Sequence, residues 1–317
     1  MRTAPPGALQ GSDGDERRSA LSPRTRSRSF RSALGGWLFV LPALGVYGVF
    51  VLQPLALTFQ YSFYDWDGVG SSEWVGLSNY GTVLDDPDLI GSIVNSFQLL
   101  VFFSVIPVSL GVIVASVIHR LSGTKFASFA RGVIFLPQII PLVAAGIIWG
   151  LLLSTYGAVN RLLEIVGLGG ITRAWLGDFA TALPAVGLIG VWVLLGFCTV
   201  LLQTGAAKIN PELYEAARLD GATWFQELRA VTIPGIRREI GVCITVTAIA
   251  ALASFDIVYV STGGGPGNST SVPGIQIYSE AFLQRRIGVA SALAIMLTLL
   301  VLVVVLPIQR FSRTEET

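Results

Sequence analysis

Six long apolar runs alternate with polar segments along this chain, at roughly residues 37–59, 93–118, 132–153, 181–203, 240–260 and 289–308. A hydrocarbon layer of about 30 Å takes about 20 residues of α-helix at a rise of about 1.5 Å each. A helix closes its own backbone hydrogen bonds, which lipid demands of any spanning segment. The pattern predicts an all-α membrane protein with six transmembrane helices. Composition agrees: of 317 residues, 52% are hydrophobic and 13% charged, against roughly 25% charged in an average soluble domain.

Charge distribution orients the spans. With a cytoplasmic N-terminus, the inner segments hold seven Lys and Arg in the tail, three at 119–131, five at 204–239 and two at the C-terminus. The outer segments hold none at 60–92, two at 154–180 (Arg161, Arg173) and two at 261–288 (Arg285, Arg286). That bias places both termini inside; Arg285 and Arg286 fit it badly. The first outer loop instead carries Asp65, Asp67, Glu73, Asp85, Asp86 and Asp88. The first apolar run is too long for a signal-peptide core of about 7–15 residues, so it reads as a retained span. The expected division is a disordered basic cytoplasmic tail at 1–31, a membrane domain at 32–310 containing a cytoplasmic loop at 204–239, and a short tail at 311–317. A net charge of +1 gives no reason to expect nucleic acid, and membrane lipid is the partner the spans demand. Cys198 and Cys243 lie in apolar runs and read as small apolar fillers, not as a disulfide framework.

The segment between the fourth and fifth runs is organised. Asn210-Pro211-Glu212 starts a helix: Asn caps the first N–H groups, Pro suits the first position and Glu the positive helix end. Leu213, Ala216 and Ala217 form a small face that another surface can approach closely. Gly221 can end the helix in the left-handed conformation. Thr223 and Gln226 make a capping box for a second short helix carrying Trp224, Phe225 and Leu228, which Pro234 is expected to break. Two uses fit these residues equally: a rigid dock for a soluble partner, or an amphipathic hairpin on the membrane surface.

Glu215-Ala216-Ala217, three residues, Gly221, nine residues, then Val231-Thr232-Ile233-Pro234 resembles the cytoplasmic EAA motif of ABC-importer permeases, with Val231 for Ile and Ile233 for Leu. Pro211-Glu212-Leu213-Tyr214 and Asp220-Gly221-Ala222 resemble the carbohydrate branch of that family. The likeness runs from about residue 37 to 310. It includes Ser62-Phe63-Tyr64-Asp65-Trp66, Val75-Gly76-Leu77-Ser78-Asn79-Tyr80, Trp175-Leu176-Gly177-Asp178, and Phe255-Asp256-Ile257-Val258-Tyr259 followed by Thr262-Gly263-Gly264-Gly265-Pro266-Gly267-Asn268. These are similar to the first of the two non-identical permeases in maltose-type and glycerol-phosphate-type systems. Arg285-Arg286 departs from the aromatic-acidic pair usual before the last span.

The resemblance implies a type I ABC importer permease fold in the cytoplasmic membrane of a bacterium. It implies a second, non-identical permease, two copies of an ATPase, and an extracytoplasmic binding protein that delivers a sugar or related solute. Glu215, Ala216, Ala217, Asp220, Gly221 and Pro234 are the residues it assigns to ATPase coupling. Glycerol phosphate or another small solute is the alternative cargo, and an autonomous secondary carrier or a non-transporting scaffold the more distant rivals.

Candidate residues for the solute path are Asp256, Phe255, Tyr259 and Trp192. A carboxylate inside a membrane is costly and faces a cavity, water or a partner; aromatic faces suit sugar C–H surfaces, though an interfacial aromatic belt explains them too. Gln203 is a weaker candidate. Trp37 and Trp149 read as packing or belt residues, His119 as a solvated or headgroup contact at the inner face, Gly263–Gly267 as a permissive loop, and Asn268-Ser269-Thr270 as a chance glycosylation match. Pro137 and Pro141 are expected to kink the third span. The chain has no Gly-x-x-x-x-Gly-Lys-Ser/Thr sequence and one His. It is therefore expected to be a transport subunit and not an enzyme, without metal or cofactor, Mg-ATP belonging to the partner ATPase.

Overall fold

The computed structural model describes residues 28–313 and is helical apart from one two-strand ribbon. The chain divides into a unit ending at Leu55 and a unit starting at Ala56. The first unit contains α1 (Arg28–Tyr47), a π turn at Gly48–Leu52 and the start of α2 (Gln53–Tyr61). Residues 28–31, expected to be disordered, form the first turn of α1, because the helix begins ahead of the apolar run; residues 1–27 of that tail lie outside the described residues.

The second unit continues with β1 (Tyr64–Asp65), β2 (Glu73–Trp74), α3 (Ser78–Asp85), α4 (Pro87–Leu100), a π turn at Val101–Val105 and α5 (Ile106–Arg120). Next come α6 (Lys125–Ile139), α7 (Leu142–Leu152), α8 (Ala158–Ile165) and α9 (Ala182–Ala206). The rest comprises α10 (Pro211–Leu219), α11 (Trp224–Glu227), α12 (Ile233–Gly235), α13 (Arg237–Leu252), α14 (Asp256–Ser261), α15 (Pro273–Tyr278) and α16 (Ile287–Arg313). The expected tail at 311–317 is helical to 313, and 314–317 lie outside the described residues.

Among the described residues, four helical stretches are long and apolar enough to cross a membrane: Phe39–Tyr61, Pro87–Arg120, Ala182–Ala206 and Ile287–Arg310. The third expected span is a bent pair, α6 and α7, turning through 99°. Pro137 lies within α6 and Pro141 precedes α7, so the kink falls where missing N–H donors and ring sterics put it. The fifth expected span, 240–260, is likewise not one rod. It comprises the 16-residue α13 and the 6-residue α14, separated at 253–255. At about 1.5 Å per residue α13 alone is about 24 Å long, short of the hydrocarbon thickness.

α9 is the centre of this unit, with 67% of its apolar window buried. Small residues let neighbours approach its backbone. Gly187 and Gly190 leave no room for a Cβ beside the rings of Phe102 and Phe103. A Cβ on Gly196 would stand 2.5 Å from the Ile134 carbonyl of α6, and one on Gly205 would stand 2.6 Å from the Glu239 carboxylate. Between α13 and the second span, the buried Thr247 hydroxyl donates to Ser104 Oγ at 2.8 Å. Cys198 and Cys243 are both buried and free.

The motif residues between 62 and 80 form a clasp. Asn79 Nδ2 donates to the Ser62 carbonyl at 3.0 Å and the Tyr64 carbonyl at 2.9 Å. Trp66 supplies the carbonyl for Ile287 N–H at 3.0 Å, at the start of α16. Arg286 is explained here as well. Its Nε donates to the buried Glu280 carboxylate at 2.6 Å and its Nη2 at 2.8 Å, so its charge is held by protein. Farther on, Trp175 Nε1 donates to Asn160 Oδ1 at 2.7 Å, fixing the Trp-Leu-Gly-Asp turn.

Gly190→Ala should destabilise the protein by about 1–3 kcal/mol, because its methyl group meets the Phe103 ring. Thermal unfolding in detergent reads this as a lower midpoint; an unchanged midpoint would show that Phe103 moves aside without cost.

Candidate functional site

The 204–239 segment folds as its capping residues require. Asn210 Oδ1 accepts from Glu212 N–H at 3.1 Å, and Pro211 occupies the first turn of α10. Gly221 takes φ +78°, with its N–H bonded to the Arg218 carbonyl at 3.0 Å and Ala222 N–H to the Ala217 carbonyl at 2.9 Å. The capping box of α11 is formed: Thr223 N–H donates to Gln226 Oε1 at 2.7 Å.

Pro234 does not break the second helix as expected. The helix widens into a π turn at Leu228–Thr232 and passes into α12, with Pro234 in its first turn. The π turn shifts the bonding register ahead of the proline, Ile233 N–H donating to the Leu228 carbonyl. The interruption comes at Ile236, φ −110° and ψ 15°, immediately before α13.

Two links brace the bend. Arg218 Nε pairs with Glu227 Oε1 at 3.0 Å, the Glu227 side chain being 5% exposed and that of Arg218 50%. Tyr214 and Thr232 share a buried hydroxyl–hydroxyl bond of 3.1 Å. A buried carboxylate is tolerated when a cation meets it in good geometry, so the pair fixes α10 against α11. The unit is also fastened to the membrane helices. Trp224 Nε1 donates to Ser116 Oγ of α5 at 3.2 Å, and Tyr214 packs on His119 with ring centroids 5.3 Å apart. His119, expected at the lipid headgroups, is therefore a packing partner of this loop. Gln203, the weaker path candidate, lies at the same end: with its amide oriented to accept, it takes Arg131 Nε at 2.8 Å.

The opposite side of the loop is bare. Glu215, Ala216, Asp220, Gly221 and Pro234 are exposed and Ala217 is half-buried. Leu219 and Phe225 stand out beside them at 89% and 63% exposure. A braced frame thus presents carboxylates and apolar side chains together.

The path candidates divide. Asp256 and Phe255 line a cavity of about 150 Å³ with Phe103, Gly190, Val193 and Ser254. Both sit at the 253–255 break, and the Asp256 side chain makes no hydrogen bond or ion pair among the described residues. Phe255 stacks on Tyr259 at 5.0 Å, Tyr259 meets Tyr278 at 5.6 Å, and Tyr278 meets Phe282 at 5.3 Å, an aromatic row beginning at the cavity wall. Trp192 is separate: it meets Trp149 edge-to-face at 5.6 Å and is not part of the cavity lining. Tyr278 and Phe282 went unforeseen because the glycine-rich loop intervenes in sequence. That loop is not slack. Asn95 Nδ2 donates to the Ser271 carbonyl at 2.9 Å, and the hydroxyls of Thr262 and the buried Thr270 bond at 2.7 Å. Thr270 of the formal glycosylation sequence is thereby used inside the loop. Among the described residues, no cluster of His, Cys, Asp and Glu suits a metal ion.

Comparison with known proteins identifies the class. Residues 107–314 match the family described as binding-protein-dependent transport system inner membrane component. A probable ABC transporter permease, YurN of Bacillus subtilis, is 33% identical over 280 residues, covering 88% of this chain and 96% of that one. The trehalose/maltose transport system permease MalF of Thermococcus litoralis is 33% identical over 299 residues, covering 91% and 98%. The diacetylchitobiose uptake permease NgcF of Streptomyces coelicolor is 32% identical, covering 89% and 83%. A crystal structure of a bacterial ABC transporter that imports alginate contains a chain with the same fold, at TM-score 0.78 and 23% identity, covering 92% of this chain and 100% of that one. The chain belongs to the binding-protein-dependent inner membrane component family. It is a multi-pass membrane permease subunit of an ABC importer with the type I permease fold, a transport component and not an enzyme.

Gly221→Val would force a β-branched side chain into positive φ, at a cost of roughly 1–2 kcal/mol. Limited proteolysis should then cut the 204–239 loop faster than in the unsubstituted protein; equal cleavage rates would show that the bend does not depend on this conformation.

Proposed function

We propose that this chain is one of two non-identical permeases that form the pathway of an ATP-driven sugar importer, with an extracytoplasmic binding protein delivering the solute. Two copies of an ATPase, carrying Mg-ATP, complete the assembly, and one of them docks on the 204–239 loop through Glu215, Ala216, Ala217, Asp220 and Gly221, with Pro234 near the exit toward α13. The observation that carries this reading is the braced helix–bend–helix itself: one side is fastened to α5, and the other exposes Glu215, Leu219 and Asp220 to a soluble partner. Mixed apolar and carboxylate character suits a basic-rimmed protein groove, where charges steer and apolar anchors hold.

Six crossings with both termini cytoplasmic satisfy the Lys and Arg bias, with α6–α7 counted as one bent span and α13–α14 as one interrupted span. The pathway runs through the cavity at Asp256 and Phe255. Its volume of about 150 Å³ is below the roughly 300–1,000 Å³ of small-molecule sites, as half of a shared passage would be. A carbohydrate cargo is supported by the named cargoes of the trehalose/maltose and diacetylchitobiose relatives. It is supported too by the aromatic row and by the absence of any Lys or Arg among the cavity residues, which favours a neutral sugar over glycerol phosphate. Broken helices are also found in ion-coupled carriers, but the exposed cytoplasmic dock has no use in one.

Glu215→Lys should reduce the ATPase recovered with the gently solubilised chain by about tenfold, the scale of reversing one interfacial charge. Equal recovery from both proteins would remove the docking reading. Asp256→Ala should raise the half-saturating concentration of the transported sugar by about tenfold, the scale of a hydrogen bond to a charged group; superimposable uptake curves would make Asp256 structural.

A further inference from the structure

The loop is joined by the chain to α9 and α13, yet two of its side-chain attachments reach a third helix. Trp224 Nε1 meets Ser116 Oγ at 3.2 Å across 108 residues of sequence, and the Tyr214 ring packs on His119. Ser116 and His119 are three residues apart on α5 and so share one helix face. Trp224 comes from α11 and Tyr214 from α10, and the Arg218–Glu227 and Tyr214–Thr232 bonds lock those two helices together. The face of α5 is thus gripped at two points by one stiff body.

From α5 the chain runs back without interruption through the Val101–Val105 π turn. That turn carries Phe103, in the wall of the cavity beside Asp256, and Ser104, bonded to Thr247 of α13. π turns are positions where a helix departs from regular register, and they recur at functional sites. A body gripping one end of α5 therefore has a packed, hydrogen-bonded route to the cavity wall that bypasses both chain connections of the loop.

We infer that the second span transmits loop movement to the solute cavity, with Trp224 and Ser116 as the positioning residues of the joint and Glu227 as the buried brace that keeps it stiff. This rests on the ATPase docking at the loop. Removing the indole donor or its acceptor leaves the dock intact but loosens the grip on α5. The Glu227 brace and the Tyr214–Thr232 bond together keep α10 and α11 moving as one.

The test uses the full complex in native membranes, with Ala253→Cys as a reporter in the cavity wall. The labelling rate of that thiol by a membrane-impermeant maleimide is compared with and without ATP and vanadate. Trp224→Phe and Ser116→Ala should each shrink the nucleotide-dependent change in labelling by about two- to tenfold, the scale of one neutral hydrogen bond. The amount of ATPase in the complex should not change. Ser116→Thr, which keeps the hydroxyl, should restore the response, and the double variant should be no worse than either single one. A full response in both single variants would overturn the inference, as would additive losses in the double variant. A complex lacking the ATPase even without loop substitutions would remove the docking reading beneath it, an outcome separable from a docked ATPase with an unaltered response.

Discussion

A broken helix in a membrane exposes backbone N–H and C=O groups that lipid cannot satisfy, and this constraint organises the second unit of the chain. Two breaks occur, between α6 and α7 and between α13 and α14. Pro137, ahead of the first, and Ser254, within the second, are buried in protein. α9 lays Gly196 against the backbone of α6 just before its bend, while Gly190 and Val193 face the second break across the cavity. Gly274 brings its backbone against the Ser254 carbonyl from the far side. Helices that must approach this closely need glycine at the contacts, which is why a helix as buried as α9 is rich in it. Irregular backbone is tolerated where it lines a cavity, and Asp256 and Phe255 stand at such a place.

The 204–239 loop is organised differently: its bare face carries carboxylates, and its stiffness comes from side-chain links. The Arg218–Glu227 pair and the Tyr214–Thr232 bond span a bend whose glycine would otherwise leave it free to flex. The result is a small rigid body fastened on one side to α5 and bare on the other. Such a division of faces is what a coupling element between a soluble motor and a membrane pathway requires.

Much of this was legible in the sequence. Asn210-Pro211, Gly221 and Thr223–Gln226 act within three or four residues, so local chemistry alone placed both loop helices and the bend between them. The straight spans were legible because their hydropathy is uniform. The break at 253–255 was not, since a hydropathy window averages across it. Pro234 misled for a related reason: its cost depends on helix register, and the π turn before it changed that register. Arg286 fitted the charge bias badly until the structure placed buried Glu280 against it. Trp192 was named as a path candidate from the sequence, yet its ring is committed to Trp149. The link from Trp224 to Ser116 lies 108 residues apart in the chain, and no local pattern announces it.

On the proposed reading, the bare face of the 204–239 loop is the seat of an ATPase. Replacing Leu219, exposed at 89% beside the Gly221 bend, with a photoreactive p-benzoylphenylalanine and irradiating intact cells tests it most directly. One dominant protein adduct is expected, to a chain bearing the Gly-x-x-x-x-Gly-Lys-Ser/Thr nucleotide-binding sequence that this protein lacks. Cross-linking to lipid alone, or to a protein without that sequence, would contradict it and return the loop to the membrane surface.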